Sequence, residues 1–195
     1  MSNHFFAMMA RMKYIERWAL MRNSSSENLS EHSLDVAMIA HALAVIGNLR
    51  LGKKLDENKA AIVALYHDTT EIITGDLPTP VKYFNADIKS AYKEVEQVAA
   101  DRLLSLLPED MQDYYRDFYY KNDEDAYIWK LVKAADKLSA YIKCIEEEKA
   151  GNTEFTNAKE STMKSLDEMN IEEVNILTDK VKINEVSNLS SDYFS

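Results

Sequence analysis

Two imidazoles and two carboxylates stand where one ion could be held between them. His32 lies in "NLSEHSLDVAM", His67 and Asp68 adjoin in "ALYHDTTEIITGDLPTP", and Asp136 follows far downstream in "LVKAADKLSAY". Neutral imidazole mixed with carboxylate suits a borderline first-row divalent metal, such as Mn, Co, Ni or Zn, rather than calcium. A His-Asp dipeptide alone carries little weight, because a buried histidine bonded to a helix and an aspartate N-cap give the same two letters. Placement and company strengthen it. Each candidate ligand falls inside or at the end of a stretch with helical hydrophobic spacing, so three helices can converge on one ion. Glu71 stands three residues after Asp68 and four after His67, on one helical face with them if the helix continues. A further carboxylate beside a metal site is costly unless it handles a proton, so Glu71 is a candidate acid/base.

The elements that must position these residues can be read in order. "HFFAMMARMKYIERW" predicts a helix with Phe5, Met8, Met9, Met12 and Ile15 on one broad face. "MRNSSSENLSE" is a polar connector, and Asn28 with Glu31 resembles a capping box opening the next helix. That helix carries His32 in its first turn and Val36, Ile39, Ala40 and Leu43 on its apolar side, and a basic, Gly-containing loop (47–54) follows. Asp56 caps a helix running through Ile62, Leu65 and Tyr66 to the His67-Asp68 pair. Gly75 breaks it, and Pro78 and Pro80 force Leu77 and Thr79 into extended conformations.

Residues 86–107 read as a long amphipathic helix with Ile88, Tyr92, Val95, Val98 and Ala99 as its stripe, ending before Pro108. The aromatic run Tyr114, Tyr115, Phe118, Tyr119 and Tyr120 suits packing on the core or on a partner. A helix over about 124–150, capped by Asp123 and stopped by Gly151, buries Ile128, Leu131, Val132, Ala135, Leu138 and Ile142. Asp136 at the edge of that stripe needs a partner, since an unpaired buried carboxylate is expensive, and a metal supplies one. A short helix over about 154–169 follows, and the last twenty residues read as peripheral. There is no internal repeat.

Bulk properties narrow the function. At 195 residues the chain accommodates one domain with a sizeable core. With 23 Lys and Arg against 33 Asp and Glu, the net charge of −10 is poorly suited to a nucleic-acid backbone. A small phosphorylated substrate remains compatible, because a metal and one or two cations can reverse the field inside a pocket. Only four Gly and three Pro, with abundant Ala, Leu, Met, Glu and Lys, predict an all-α protein. Cys144 is the only cysteine, so no intramolecular disulfide forms. No signal-like segment and no apolar run long enough to span a bilayer is apparent, which predicts a cytoplasmic chain without membrane partners.

The H…HD…D order, with "YHDTTEIITGDLPTPVKYFN", "RWALMRN…EN.SEHS" and "LVKAADKLSAYIKC.EE", resembles the bacterial HD-domain 5′-deoxynucleotidases. The likeness runs over about 4–155 and fades in the C-terminal forty residues (156–195). It implies a single all-helical HD domain over 1–195, a homodimer, and hydrolysis of deoxyribonucleoside 5′-monophosphates to nucleoside and phosphate. One Co(II), Mn(II) or Cu(II) ion would be held by His32, His67, Asp68 and Asp136. Carried over by position, Glu71 would be the catalytic acid/base and Asp76 would act beside it. Arg17 and Trp18 would orient the 5′-phosphate, and Asp76, Leu77, Pro78 and Thr79 would line the nucleotide pocket, with His32, Asp68 and Asp136 also facing the substrate.

The residues support these roles independently. Arg17 is a fork-shaped donor able to bind two phosphate oxygens. Trp18 can wall a pocket or serve the core, and "DLPTP" can be a specificity loop or a connector. Lys82 can attract phosphate or be solvated, while His4 and His41 read as structural or surface residues. Two other readings compete: a dNTP triphosphohydrolase, for which the cations near the motifs are too few, and a nucleotide-binding module with a structural metal, which has no use for Glu71.

Overall fold

The computed structural model describes residues 4–180 and contains no strand among them. The helices, in chain order, are α1 (Phe5–Met9), α2 (Leu29–Leu51), α3 (Glu57–Tyr66), α4 (Glu71–Thr74) and α5 (Thr79–Lys82). They continue with α6 (Ala86–Leu104), α7 (Glu109–Arg116), α8 (Ala126–Lys149), α9 (Thr156–Met169) and α10 (Glu172–Lys180). The all-α expectation is met.

The core lies where α2, α3 and α8 meet. Ala37, Ala40 and Ala44 of α2, Ala60 and Ala64 of α3, and Ala134 and Ala135 of α8 are all buried there. Small side chains on facing helices let the backbones approach closely. Leu43, Leu131 and Leu138 fill the remaining space. α2 has the length and hydropathy of a membrane-crossing helix, contrary to the sequence expectation, and 39% of its most apolar stretch is buried in the bundle. It opens on the expected capping box: Asn28 Oδ1 accepts from the Ser30 and Glu31 amides, and Glu31 accepts from the Asn28 amide. This geometry fixes the first turn and therefore the direction of His32.

Several boundaries differ from the sequence reading. The N-terminal helix stops at Met9, and a 3₁₀ turn (Met12–Tyr14) leads to extended backbone at Ile15. Residues 15–17 instead pair with 27–29, through Leu29 N to Ile15 O and Arg17 N to Glu27 O, both 2.9 Å. The supposed basic loop at 47–54 is mostly helix. α2 runs to Leu51 and ends on left-handed Gly52 (φ 67°), while Gly47 lies inside it. A Cβ at Gly47 would meet Glu173 Oε1 and Leu55 Cδ1 at 2.8 Å, so α2 and α10 touch because Gly47 has no side chain.

Thr79 is helical despite preceding Pro80, because Pro80 occupies the first turn of α5, where its missing N–H costs nothing. α6 ends at Leu104 and buries only Ala99, Ala100, Leu103 and Leu104. Its stripe residues Ile88, Val95 and Val98 are exposed. α8 begins at Ala126 without an Asp123 side-chain cap; the Asp125 amide donates to Asn122 Oδ1. The 3₁₀ turn Thr153–Phe155 and α9 match the expected helix near 154–169. Of the last twenty residues, expected to be peripheral, Leu177 joins the core and Ile176 packs against it, while residues 181–195 lie outside the described residues.

The aromatic run packs inward as anticipated, apart from exposed Tyr114. Tyr66 stacks on Phe118 at 5.5 Å, and Thr69 Oγ1 donates to the Tyr66 carbonyl and lies 3.0 Å from the Tyr119 hydroxyl. Both chain neighbours of the His67-Asp68 pair are thus locked in place.

Candidate active site

Three helices deliver the four candidate ligands to one point. His32 from the start of α2, His67 and Asp68 just past α3, and Asp136 from α8 place one donor atom each within 4.8 Å of one another. His32 is fully buried, with Nδ1 3.3 Å from Ser139 Oγ. Its Nε2 lies 3.2 Å from Asp136 Oδ1 and 3.6 Å from Asp68 Oδ2. His67 Nδ1 lies 2.7 Å from the Ala64 carbonyl. A carbonyl only accepts, so Nδ1 carries the proton and Nε2 keeps a lone pair.

That Nε2 is 3.1 Å from Asp68 Oδ2, and neither it nor His32 Nε2 has a hydrogen-bond partner among the described residues. Two buried ring nitrogens facing carboxylate oxygens without hydrogen bonds are repaired by one cation between them. The donor set fits a divalent transition metal, and the bonds at Nδ1 aim the rings as outer-shell contacts do for metal-binding histidines. The electrostatics agree. Burial pushes Asp68 and Asp136 upward, yet the facing histidines hold both carboxyls below their usual range, Asp68 far below. Burial also opposes charge on His32, but Asp136 and Asp68 lift it to about 9. The point where these groups meet favours positive charge.

Glu71 is buried at the first position of α4, with Oε2 unpartnered. Burial, reinforced by the Asp68 and Asp76 charges, raises its carboxyl to about 10. Glu71 does not share a continuous helix with His67 and Asp68, as the spacing suggested. A turn over 67–70 intervenes, and the Glu71 amide donates to the Asp68 carbonyl at 2.9 Å. Gly75 (φ 75°) then turns the chain into the segment carrying Asp76, Leu77 and Pro78. Burial raises the Asp76 carboxyl, while nearby Arg17 counters it. Asp76, Leu77 and Pro78 are half-buried and Thr79 is exposed.

Arg17 and Trp18 lie in the loop that closes over the start of α2. Arg17 Nη1 is 3.6 Å from Asp68 Oδ2, and its Nε donates to Glu27 Oε2 at 3.3 Å. Trp18 has a left-handed backbone (φ 59°), which costs a residue with a Cβ roughly 1–2 kcal/mol. Its indole donates to Glu27 Oε2 at 2.7 Å, and its ring packs on buried Phe155 at 5.1 Å. The indole hydrogen bond to a charged acceptor contributes about 1.5–3 kcal/mol and offsets the backbone cost.

The same loop is tied to α8. Glu147 accepts from the Ser24 and Ser25 amides, Lys143 Nζ donates to the Ser25 carbonyl at 2.6 Å, and the Lys143–Glu147 pair is buried at 2.7 Å.

Sequence reasoning passed over Glu27, Ser139 and Glu147. Ser139 was within reach, one turn after Asp136 on α8. Lys143, four residues before Glu147 on α8, was a local sign of an ion pair, whereas nothing local marks Glu27, whose partners Arg17 and Trp18 lie across a loop. Lys82 Nζ pairs with Glu96 at 2.6 Å and lies over Tyr92, so it is not simply solvated. His4 and His41 are exposed, as expected for surface residues.

A helical bundle whose H…HD…D residues converge on one point is of the HD-domain phosphohydrolase class. The fold matches an HD-domain phosphohydrolase from Listeria innocua (TM-score 0.81, 22% identity, covering 97% of this chain and 95% of that one). It also matches the cyanophage S-2L HD phosphohydrolase DatZ, bound to dA and one catalytic Zn²⁺ (TM-score 0.55, 19% identity, 82% of this chain and 80% of that one). Residues 4–183 match the model of the YfbR-like 5′-deoxynucleotidases, and the chain belongs to that family. It is 52% identical over 172 residues to a 5′-deoxynucleotidase of Vibrio cholerae, covering 88% of this chain and 89% of that protein.

Proposed function

We propose that this chain is a metal-dependent 5′-deoxynucleotidase, hydrolysing deoxyribonucleoside 5′-monophosphates to deoxynucleoside and phosphate. The observation that carries the reading is the pair of buried, unpartnered Nε2 atoms of His32 and His67 facing Asp68 and Asp136, with buried Glu71 three residues past Asp68 at the start of α4. His32, His67, Asp68 and Asp136 hold one divalent ion, Co(II), Mn(II) or Cu(II) as the family resemblance suggests. When bound, the ion polarises the phosphoryl oxygen and acidifies water.

The remaining work falls to the chain's own side chains. Arg17 binds phosphate oxygens through its terminal nitrogens, which its bond to Glu27 leaves available. Trp18, held by Glu27 and Phe155, walls the phosphate end of the pocket. Glu71 exchanges a proton with the reacting oxygens, a role that its raised carboxyl suits. Asp76, within the field of Arg17, assists at the sugar end, and Leu77, Pro78 and Thr79 complete the nucleotide wall.

The protein acts as a single domain over 1–195, as a homodimer, in the cytoplasm, on small nucleotides rather than nucleic acid. The exposed Val81 on α5, Phe84 in the turn after it, and Ile88, Val95 and Val98 on α6 supply apolar surface for a second copy. The test of function is phosphate release from a panel of deoxy- and ribonucleoside monophosphates, assayed with each metal and with chelator. No metal-dependent release from any deoxynucleoside monophosphate would sink the reading.

A further inference from the structure

We propose that Glu27 is the positioning residue of the phosphate clamp, a role that rests on reading Arg17 and Trp18 as the groups that hold the 5′-phosphate. Its Oε2 accepts from Arg17 Nε at 3.3 Å and from Trp18 Nε1 at 2.7 Å. Its backbone carbonyl takes the Arg17 amide at 2.9 Å. One residue therefore fixes the arginine at both main chain and side chain, and fixes the indole beside it.

The geometry assigns Glu27 to orientation rather than to the ligand set. A guanidinium offers one edge through Nε and another through its terminal nitrogens. With Glu27 on Nε, the terminal edge stays turned toward the cluster, where Nη1 lies 3.6 Å from Asp68. Glu27 Oε1 stands 3.9 Å from His32 Nδ1, beyond hydrogen-bond reach, so the histidine does not depend on it. Ser139 serves that nitrogen at 3.3 Å.

The choice of a carboxylate is itself informative. Asp68, Asp76 and Asp136 already surround Arg17, so another negative charge works against binding an anion. A carboxylate belongs there because one oxygen must hold two donors at once. Both ends of the Arg17–Glu27 pair are 11% exposed, so water screens the interaction little.

The test uses the metal-loaded full-length protein and the variants Glu27→Ala, Glu27→Gln, Arg17→Ala and the Arg17→Ala/Glu27→Ala double variant. Each is assayed with dAMP, titrated with inorganic phosphate by calorimetry, and analysed for metal. Glu27→Ala should raise KM for dAMP and weaken phosphate binding at least about tenfold, with kcat changed only about threefold and metal content unchanged. Glu27→Gln keeps one acceptor oxygen and should recover most of the loss. In the Arg17→Ala background, removing Glu27 should add less than about twofold, because residues acting as one unit are not additive.

Fully additive losses, loss of metal, or phosphate affinity equal in wild type and Glu27→Ala would each overturn the proposal. If the wild type binds phosphate but turns over no deoxynucleotide, the functional reading fails by itself, and the phosphate titrations still decide the role of Glu27.

Discussion

Nε2 of His32 and Oδ1 of Asp136 face each other across 3.2 Å, yet no hydrogen bond joins them. One comes from the first turn of α2 and the other from the middle of α8, two helices packed through the core. Packing of these two helices through the core is what brings the pair together.

Asp136→Ala should therefore remove the metal and lower turnover by orders of magnitude while leaving the helices intact. The substitution deletes a carboxylate from an otherwise packed helix. Metal analysis by plasma mass spectrometry, far-ultraviolet circular dichroism and phosphate release check it together. Retained metal with retained activity would remove Asp136 from the ligand set.

Glu71→Gln should separate binding from chemistry. The glutamine keeps the volume at a buried position and removes the transferable proton, so turnover should fall about 100-fold or more while KM changes little. The kcat and KM for dAMP, measured with metal saturating, decide it; unchanged kcat would take Glu71 out of the mechanism.

Selectivity for the sugar should follow from the wall proposed for Trp18 and residues 76–79. A buried 2′-hydroxyl without a partner costs about 1–3 kcal/mol, so dAMP should be hydrolysed at least about tenfold better than AMP at equal subsaturating concentration. Trp18→Ala should narrow that gap. Equal rates with the unmodified protein would leave an HD phosphohydrolase without deoxyribose preference.

The Lys143–Glu147 pair gives a stability prediction away from the metal. Glu147 is buried, and although burial pushes its carboxyl upward, Lys143, Asn152 and the Ser24 amide hold it far below the usual glutamate range. A carboxyl depressed in the folded state contributes stability that is fully present above its unfolded pKa. That stability is lost as pH falls from about 4.5 toward the folded value. Glu147→Gln should cost about 3–5 kcal/mol at pH 7, because it leaves Lys143 buried without its counter-charge. The difference from wild type should shrink in acid. Urea unfolding at pH 7 and pH 3 reads both, and a constant difference would show that charge is not the cause.

Much of the helical plan was legible because it is written in local rules. The Asn28–Glu31 capping box, the Asp56 cap on the Lys59 amide and the left-handed Gly151 after α8 are short-range signals, and the structure contains all three. The failures have a common origin. The stripe predicted on α6 is exposed at Ile88, Val95 and Val98, since periodicity tells that a face is apolar and not what covers it. The N-terminal helix ends early because residues 15–17 find backbone partners at 27–29, a pairing no local pattern announces.

By itself the sequence determined the candidate ligand types, their order, the all-α class and the family resemblance, because side-chain chemistry and hydrophobic period belong to the residues themselves. Tertiary structure decided the rest. It set the turn over 67–70 that parts Glu71 from the helix of His67. It also supplied the burial that raises the Glu71 carboxyl and the loop that brings Glu27 to both Arg17 and Trp18. Burial and long-range hydrogen bonds depend on which distant segments pack together, and the core of α2, α3 and α8 makes that choice.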